Sequence, residues 1–350
     1  MSKSTVHRMV RSCGPDPFLV WLIVGMLGCQ GLASADGEVE WDSITVTWDN
    51  DLFTRSNHDS YYTNGIHVRL ESKPFQAFGP TNTPRLFLPL LDALPLASGE
   101  VDHHSYAIAL GQKIFTPEDI TVEEPQPDDL PYAGLLYVAT DFTARSAQYA
   151  DLFRLTLGVV GPWSLAEQTQ KWVHDLVGTD EPMGWDYQLD NEIVFNGLYE
   201  RRRRLSAGSI GERINYELVA IGRGELGTLN TGAQASLAVI LTQRPSPGFG
   251  ALQPAVATSN YLFRSELRQG WFGYLGVTGR LTLHNIFLDG NTFSDSPSVD
   301  KEPLNGALFL GVGFAAADWT ASIAWDLESR RFKTQQSQAR YGSLTFMYRF

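Results

Sequence analysis

Tyr341-Gly342-Ser343-Leu344-Thr345-Phe346-Met347-Tyr348-Arg349-Phe350 is the stretch that decides the fold. Leu344, Phe346, Tyr348 and Phe350 alternate with Ser343, Thr345, Met347 and Arg349. A period of two sends the two sets to opposite faces of a β-strand. Working upstream, similar alternation recurs at roughly 43–50, 61–72, 103–114, 133–145, 150–161, 191–204, 212–223, 232–243, 261–269, 271–288, 305–317 and 319–328. With 341–350 pairing with its neighbour or replacing a weaker segment, the expected count is about twelve strands of roughly ten residues each. Turn residues separate them, in keeping with 32 Gly and 18 Pro.

Alternating segments of this length, with aromatics near their ends, point to an all-β fold: a transmembrane antiparallel β-barrel. A closed barrel pairs every backbone group and leaves no edge in lipid. The alternative is a secreted β-sandwich or lipocalin-like barrel. The strand number, the lack of cysteine after the leader and the terminal aromatic strand weigh against it. That final Phe350 resembles the assembly signal of Gram-negative outer-membrane proteins. A formal charge of -12 and a pI near 5.0 exclude a basic nucleic-acid surface.

Residues 1–35 read as a secretory signal peptide. Lys3, Arg8 and Arg11 precede the apolar run Phe18 to Leu27, and Ala33-Ser34-Ala35 offers a small-residue cleavage site. Leu27-Gly28-Cys29 is a competing, lipobox-like reading, weakened by Met26. Cys13 and Cys29, the chain's two cysteines, both lie in this leader. Residues 36–350 are then expected to be one barrel domain in the outer membrane of a Gram-negative bacterium.

One helix interrupts the strands. Ser164 and Glu167 form an S-x-x-E capping-box pattern after Gly161-Pro162, and Gly178 supplies a stop. Leu165, Trp172, Val173 and Leu176 give an apolar side, while Glu167, Gln170 and His174 share another stripe. Counting strand crossings from a periplasmic N-terminus puts this short helix at the outer rim. Asp49-Asn50-Asp51, Tyr61 to Gly65 and Trp185 to Glu192 reach the same rim. Each also has a plainer reading: turn chemistry for Asp49-Asn50-Asp51, interfacial aromatics for Tyr61-Tyr62, a surface residue for His174. His103 and His104 read as solvated, and Arg201 to Arg204 as a solvated periplasmic turn. The five-proline stretch 73–100 reads as an irregular connection.

Ester hydrolysis needs a base to activate water and a group to stabilise the oxyanion. His174 has the side chain suited to a base near neutral pH. Asp51, with Asn50 beside it, offers oxygen ligands to a hard cation that would polarise a carbonyl. Thr63 and Gln170 are placed to bond the oxyanion or to orient His174. No G-x-S-x-G elbow is present. A covalent route through Thr63 is the second choice.

Together these segments resemble a family. Trp48-Asp49-Asn50-Asp51-Leu52-Phe53, Asp59-Ser60-Tyr61-Tyr62-Thr63-Asn64-Gly65, Asp129 to Gly134, Gly158 to Pro162, Gln170-Lys171-Trp172-Val173-His174 and Gly184 to Glu192 are similar, in order, to the LpxR-type lipid A 3'-O-deacylases. The resemblance implies a twelve-stranded outer-membrane barrel that removes an ester-linked acyloxyacyl chain from lipid A of outer-leaflet lipopolysaccharide, with calcium (Ca2+). It carries the site to Asn50, Asp51, Thr63, Gln170 and His174. The family also places a Lys after the third strand. Phe115 to Val122 has none, and Lys113 and Arg55 are the nearest basic residues. An outer-membrane phospholipase and a non-enzymatic channel or structural barrel are the alternative functions.

Overall fold

The computed structural model describes residues 39–50, 61–96, 101, 103–243 and 269–350. The leader expected over 1–35 and the loop carrying Asp51 and Arg55 lie outside these residues. Twelve strands form one closed antiparallel barrel: β1 (Trp41–Asn50), β2 (Tyr61–Ser72), β3 (His103–Thr116), β4 (Ala133–Arg145), β5 (Tyr149–Val160), β6 (Glu192–Ile210), β7 (Ile214–Gly227), β8 (Asn230–Thr242), β9 (Gln269–Asn285), β10 (Leu304–Ala316), β11 (Trp319–Glu328) and β12 (Ala339–Arg349). Each strand pairs with its sequence neighbour, and β1 closes on β12. The expected segment 261–269 falls outside the described residues except for Gln269, which opens β9. The strand read at 341–350 therefore completes the twelve.

Alternation sets the two faces. On β1, Ser43, Thr45, Thr47 and Asp49 are buried in the lumen, whereas Val46 and Trp48 are exposed on the outer surface. Leu157, Ile193, Phe195, Val277 and Phe314 continue an exposed apolar belt around the barrel. That belt is what hydrocarbon requires of the outer surface. At the end of β11 and β12, Trp319 stacks on Phe346 and Tyr348, with ring centroids 4.6 and 4.2 Å apart. Aromatic groups of this kind sit well at a membrane interface.

The lumen is filled. Asp141 accepts from Arg154 at 2.6 Å and Arg69 at 3.0 Å, and Arg69 also reaches Glu71 at 2.7 Å. Farther round, Glu200 bonds Arg202 at 2.7 Å and Arg223 at 2.6 Å. The Arg201 to Arg204 run is thus not a solvated turn. It lies within a long β6, where Arg202 points into the lumen and is fully buried. Arg201 points outward to Asp151, and Arg204 binds Glu217. Buried guanidinium groups survive because carboxylates neutralise them. One mouth is closed by apolar packing: Phe287, in the single turn α3 (Ile286–Asp289), stacks on Phe115 at 3.9 Å.

The 73–96 stretch is more ordered than its prolines suggest. It holds the short helix α1 (Leu88–Ala93) and packs with Phe75, Phe78, Phe87 and Leu91 against outward-facing Tyr106, Phe142 and Phe153. His104 is half-buried there, 4.7 Å from the Phe78 ring, and is not a solvated residue. The strap therefore covers the outer wall of β3–β5 near one rim. The lone full-length helix of the described residues, α2 (Ala166–Val177), lies on that same sector, against β3 and β4, but at the opposite rim.

Candidate active site

The strap's rim carries three short turns, 146–148, 211–213 and 317–318, against one, 228–229, at the α2 rim; the strap rim's two other connections, 73–102 and 243–268, are long. Short turns mark the periplasmic end of outer-membrane barrels, which makes the α2 rim the outer one. The local chain explains how α2 gets there. After β5, a 3-10 turn spans Pro162–Ser164, and Leu165 adopts φ 58°, ψ 22° before the helix starts. A left-handed conformation is uncommon for a leucine and is held only where surroundings enforce it. Gln112 enforces it here by donating to the Ser164 carbonyl oxygen at 2.7 Å. The Ser164–Glu167 capping box does not form: Leu165 occupies the cap position and no side chain bonds the helix start. Glu167 instead pairs with Lys171 at 2.9 Å.

The helix is seated on the outside of the wall. Gly134 of β4 alternates with lumen-facing Leu135 and so points outward. A Cβ at Gly134 would lie 2.1 Å from Ser164 Oγ and 2.2 Å from Ala166 Cβ, so a side chain there would lift the helix away. Ala166 packs with Ile114, Ile120, Tyr132 and Trp185 in a small cluster on that outer face. Ala166, Gln170 and His174 recur every four residues and form the buried stripe, with Gln170 1% and His174 8% exposed. The apolar side read from the sequence faces away: Trp172 is 48% and Leu176 72% exposed. Glu167 does not share the buried stripe. In this helix, polarity is turned toward protein and hydrophobicity toward the membrane side.

The other expected residues lie on the outer face of the neighbouring strands. Asn50 follows Trp48 in the outward phase of β1, is buried, and pairs in register with Asn64 of β2. Trp48 Nε1 donates to Asn64 Oδ1 at 3.1 Å. Thr63 sits at a β-bulge, where the β2–β3 register shifts, and its hydroxyl lies 2.7 Å from that of Thr116. Tyr61 and Tyr62, just before the same bulge, are fully buried and are not interfacial aromatics. Gln170 Oε1 accepts from Trp185 Nε1 at 2.8 Å, which fixes the amide. His174 Nδ1 lies 2.5 Å from the Asp180 carbonyl oxygen. A carbonyl can only accept, so Nδ1 carries the proton, and the neutral ring presents its lone pair at Nε2. The structure thus places Asn50, Thr63, Gln170 and His174 on one outer-face sector, while Asp51 lies outside the described residues.

Lys113 does not join them. It alternates with outward Gln112 and Ile114, and its buried ammonium lies in the lumen, 5.9 Å from the Tyr137 ring centroid. In the β3–β4 loop, Asp129 accepts from the backbone of Glu118 and Leu130. Burial there pushes its carboxyl above the usual range despite those bonds. Among the described residues no cluster of three or more His, Cys, Asp or Glu could hold a metal ion. Of the two expected cation ligands, Asn50 is described, buried on the outward phase of β1, and Asp51 lies outside the described residues.

The sequence reading missed His67, which lies behind the site on the luminal side. It bonds Asp49, the residue before Asn50, at 3.2 Å. The signal was available in phase: Asp49 and His67 occupy lumen positions of paired strands, each next to a segment already singled out.

Compared with known proteins, the chain matches over residues 18–350 the family model described as outer membrane protein LpxR. No curated protein matches it. LpxR from Salmonella typhimurium superposes with a TM-score of 0.71 at 14% identity, over 88% of this chain and 100% of that one, a likeness of fold. The β domain of the Bordetella autotransporter BrkA aligns over 89% of this chain and 100% of its own, with a TM-score of 0.44 and 10% identity. With the family model spanning nearly the whole chain, the protein belongs to the LpxR family of outer membrane proteins.

Proposed function

We propose that this protein is an outer-membrane esterase that removes an ester-linked 3'-acyloxyacyl chain from lipid A in the outer leaflet. The observation that carries the reading is the place of His174. It lies on the buried stripe of α2, a helix seated on the outer face of the wall, with Nδ1 tied to the Asp180 carbonyl. A substrate held in the leaflet can reach that face sideways, without leaving the membrane. The exposed Trp163, Trp172 and Leu176 continue the apolar belt past the helix and suit neighbouring acyl chains.

In this mechanism His174 Nε2 takes a proton from water as the water oxygen attacks the ester carbonyl carbon. The same nitrogen then returns the proton to the departing sugar oxygen, leaving a free fatty acid and a hydroxyl. Gln170, fixed by Trp185, and Thr63, fixed by Thr116, steady the ring or donate to the oxyanion. Asn50 and Asp51 are the residues that would hold calcium, which when bound supplies polarisation of the carbonyl.

A glycerophospholipid ester on this face would meet the same groups, so the substrate test carries both arms. Mass spectrometry of lipid A from cells expressing the protein should show loss of one acyloxyacyl unit. Purified protein should cleave lipid A in preference to phosphatidylethanolamine and should stop in excess chelator. Cleavage of phosphatidylethanolamine alone would make it a phospholipase. The packed lumen favours an enzyme over a channel, and steady ion conductance in a planar bilayer would reverse that preference.

A further inference from the structure

Three connections at the outer rim meet around an open cleft: the β3–β4 loop, the segment between α2 and β6, and the chain between α3 and β10. The cleft holds about 270 Å³, and Pro117, Glu124, Asp129, Tyr132, Tyr187 and Pro297 help to line it. The connections are bonded to one another. The Met183 N–H donates to the Ile120 carbonyl at 2.9 Å, and the Leu189 N–H to the Tyr132 carbonyl at 3.0 Å. Asp190 and Asn291 exchange two bonds, at 2.9 and 3.0 Å. Loops tied in this way, with prolines that restrict the backbone, keep a cleft in shape before any ligand arrives. The lining combines apolar surface with hydrogen-bond acceptors. Tyr132 is buried, whereas Tyr187 is 47% exposed and brings aromatic surface to the opening. Glu124 and Asp129 supply carboxylate oxygens, and none of the described lining residues is basic.

We propose that this cleft is a sugar subsite, which takes a neutral sugar residue of the lipid's saccharide head while the ester bond lies beside α2. The proposal rests on the esterase reading. A lining rich in acceptors and free of cations repels phosphate and carboxylate groups and suits hydroxyls, which donate. The negative face of an aromatic ring receives the C–H side of a saturated ring. A neutral sugar offers both surfaces at once. The cleft is built by connections beyond the strand ends, outside the apolar belt, where a lipid carries its head and not its acyl chains. It also shares a wall with the candidate active site. The segment after α2 starts with Asp180, whose carbonyl accepts from His174, and continues to Trp185, which donates to Gln170 and packs 5.0 Å from the Tyr132 ring. One molecule can therefore span both places. Contacts so far from the reacting bond hold substrate and transition state alike, and so lower KM without raising kcat.

The test gives full-length mature protein in detergent two substrates: lipopolysaccharide, and lipid A stripped of its outer sugars by mild acid. The wild type should show the lower KM for lipopolysaccharide. Tyr187→Ala removes aromatic surface at an exposed position and should raise that KM about three- to tenfold. Ser298→Trp fills the cleft from its exposed edge and should raise it at least as much. Both variants should stay heat-modifiable and keep the wild-type kcat and KM on stripped lipid A. Equal KM for the two substrates in the wild type would overturn the subsite. So would variants that change both substrates equally or neither. Calorimetry with the water-soluble oligosaccharide released by the same acid treatment needs no turnover. It should show binding to the wild type and weaker binding to both variants. Should the wild type cleave neither lipid, the esterase reading falls, while oligosaccharide binding still decides the cleft: no binding, or equal binding by wild type and variants, overturns it.

Discussion

Buried polar groups lie on both faces of the barrel wall, and the two sets are wired differently. Inside, charge meets charge: Arg69, Arg154 and Asp141 form one bonded group, and Glu200 with Arg202 and Arg223 another. Outside, under α2, the partners are mostly neutral: a carbonyl for His174, an indole for Gln170, a hydroxyl for Thr63. Paired buried ions resist change, because removing one partner strands the other in a poor solvent for charge. Neutral contacts orient a side chain without neutralising its chemistry. The lesson is that burial alone does not single out the proposed site in this barrel; the neutral partners that orient its side chains do.

The comparison breaks first at His174. His174→Ala should lose about 10²- to 10⁴-fold in turnover, roughly 3–5 kcal/mol of barrier, while the protein stays heat-modifiable. Deacylation near the wild-type rate would remove the outer face from the chemistry. The luminal counterpart is Glu200→Gln, which leaves Arg202 and Arg223 facing a neutral amide. It should destabilise the barrel by about 3 kcal/mol in urea unfolding, with turnover of the folded fraction retained. A loss of turnover without a loss of stability would mean that the lumen participates in catalysis.

Two smaller changes sharpen the boundary. Gln170→Ala removes an orienting contact and not the base, so it should cost about tenfold in kcat, near 1.4 kcal/mol, with no change in unfolding. His104→Ala, under the periplasmic strap, should cost about 1 kcal/mol of stability through lost ring contacts with Phe75 and Phe78, and leave kcat unmoved. Lipid A release assays and urea titrations on the same preparations separate the two kinds of effect.

Much of the barrel was legible because a period of two survives even where a strand is covered. Leu344, Phe346 and Tyr348 lie on one face and Thr345, Met347 and Arg349 on the other, as the spacing requires. The helix was legible in its extent but not in its start. Ser164 and Glu167 have the spacing of a capping box, yet the wall contact from Gln112 recruits the Ser164 carbonyl and turns Leu165 left-handed. Strand parity told which rim Thr63, Gln170 and His174 reach, but parity says nothing about inside or outside. That depends on phase along each strand, and the bulge at Thr63 resets the phase of β2 in the middle of the motif. Tyr106 and Phe142 face outward yet are buried, since the strap that covers them is written elsewhere in the chain.

The seam between β1 and β12 has a consequence for biogenesis. Asn50 stands opposite Gly342 across that seam, and Asp49 opposite Ser343. The strand that carries Asn50 is therefore braced on one flank by β12, the last strand of the barrel. Contacts between opposite ends of a chain are costly in loop entropy and form late. A chain in which β12 has not yet paired leaves β1 with one open edge, so the shape of this rim is set only when the barrel closes.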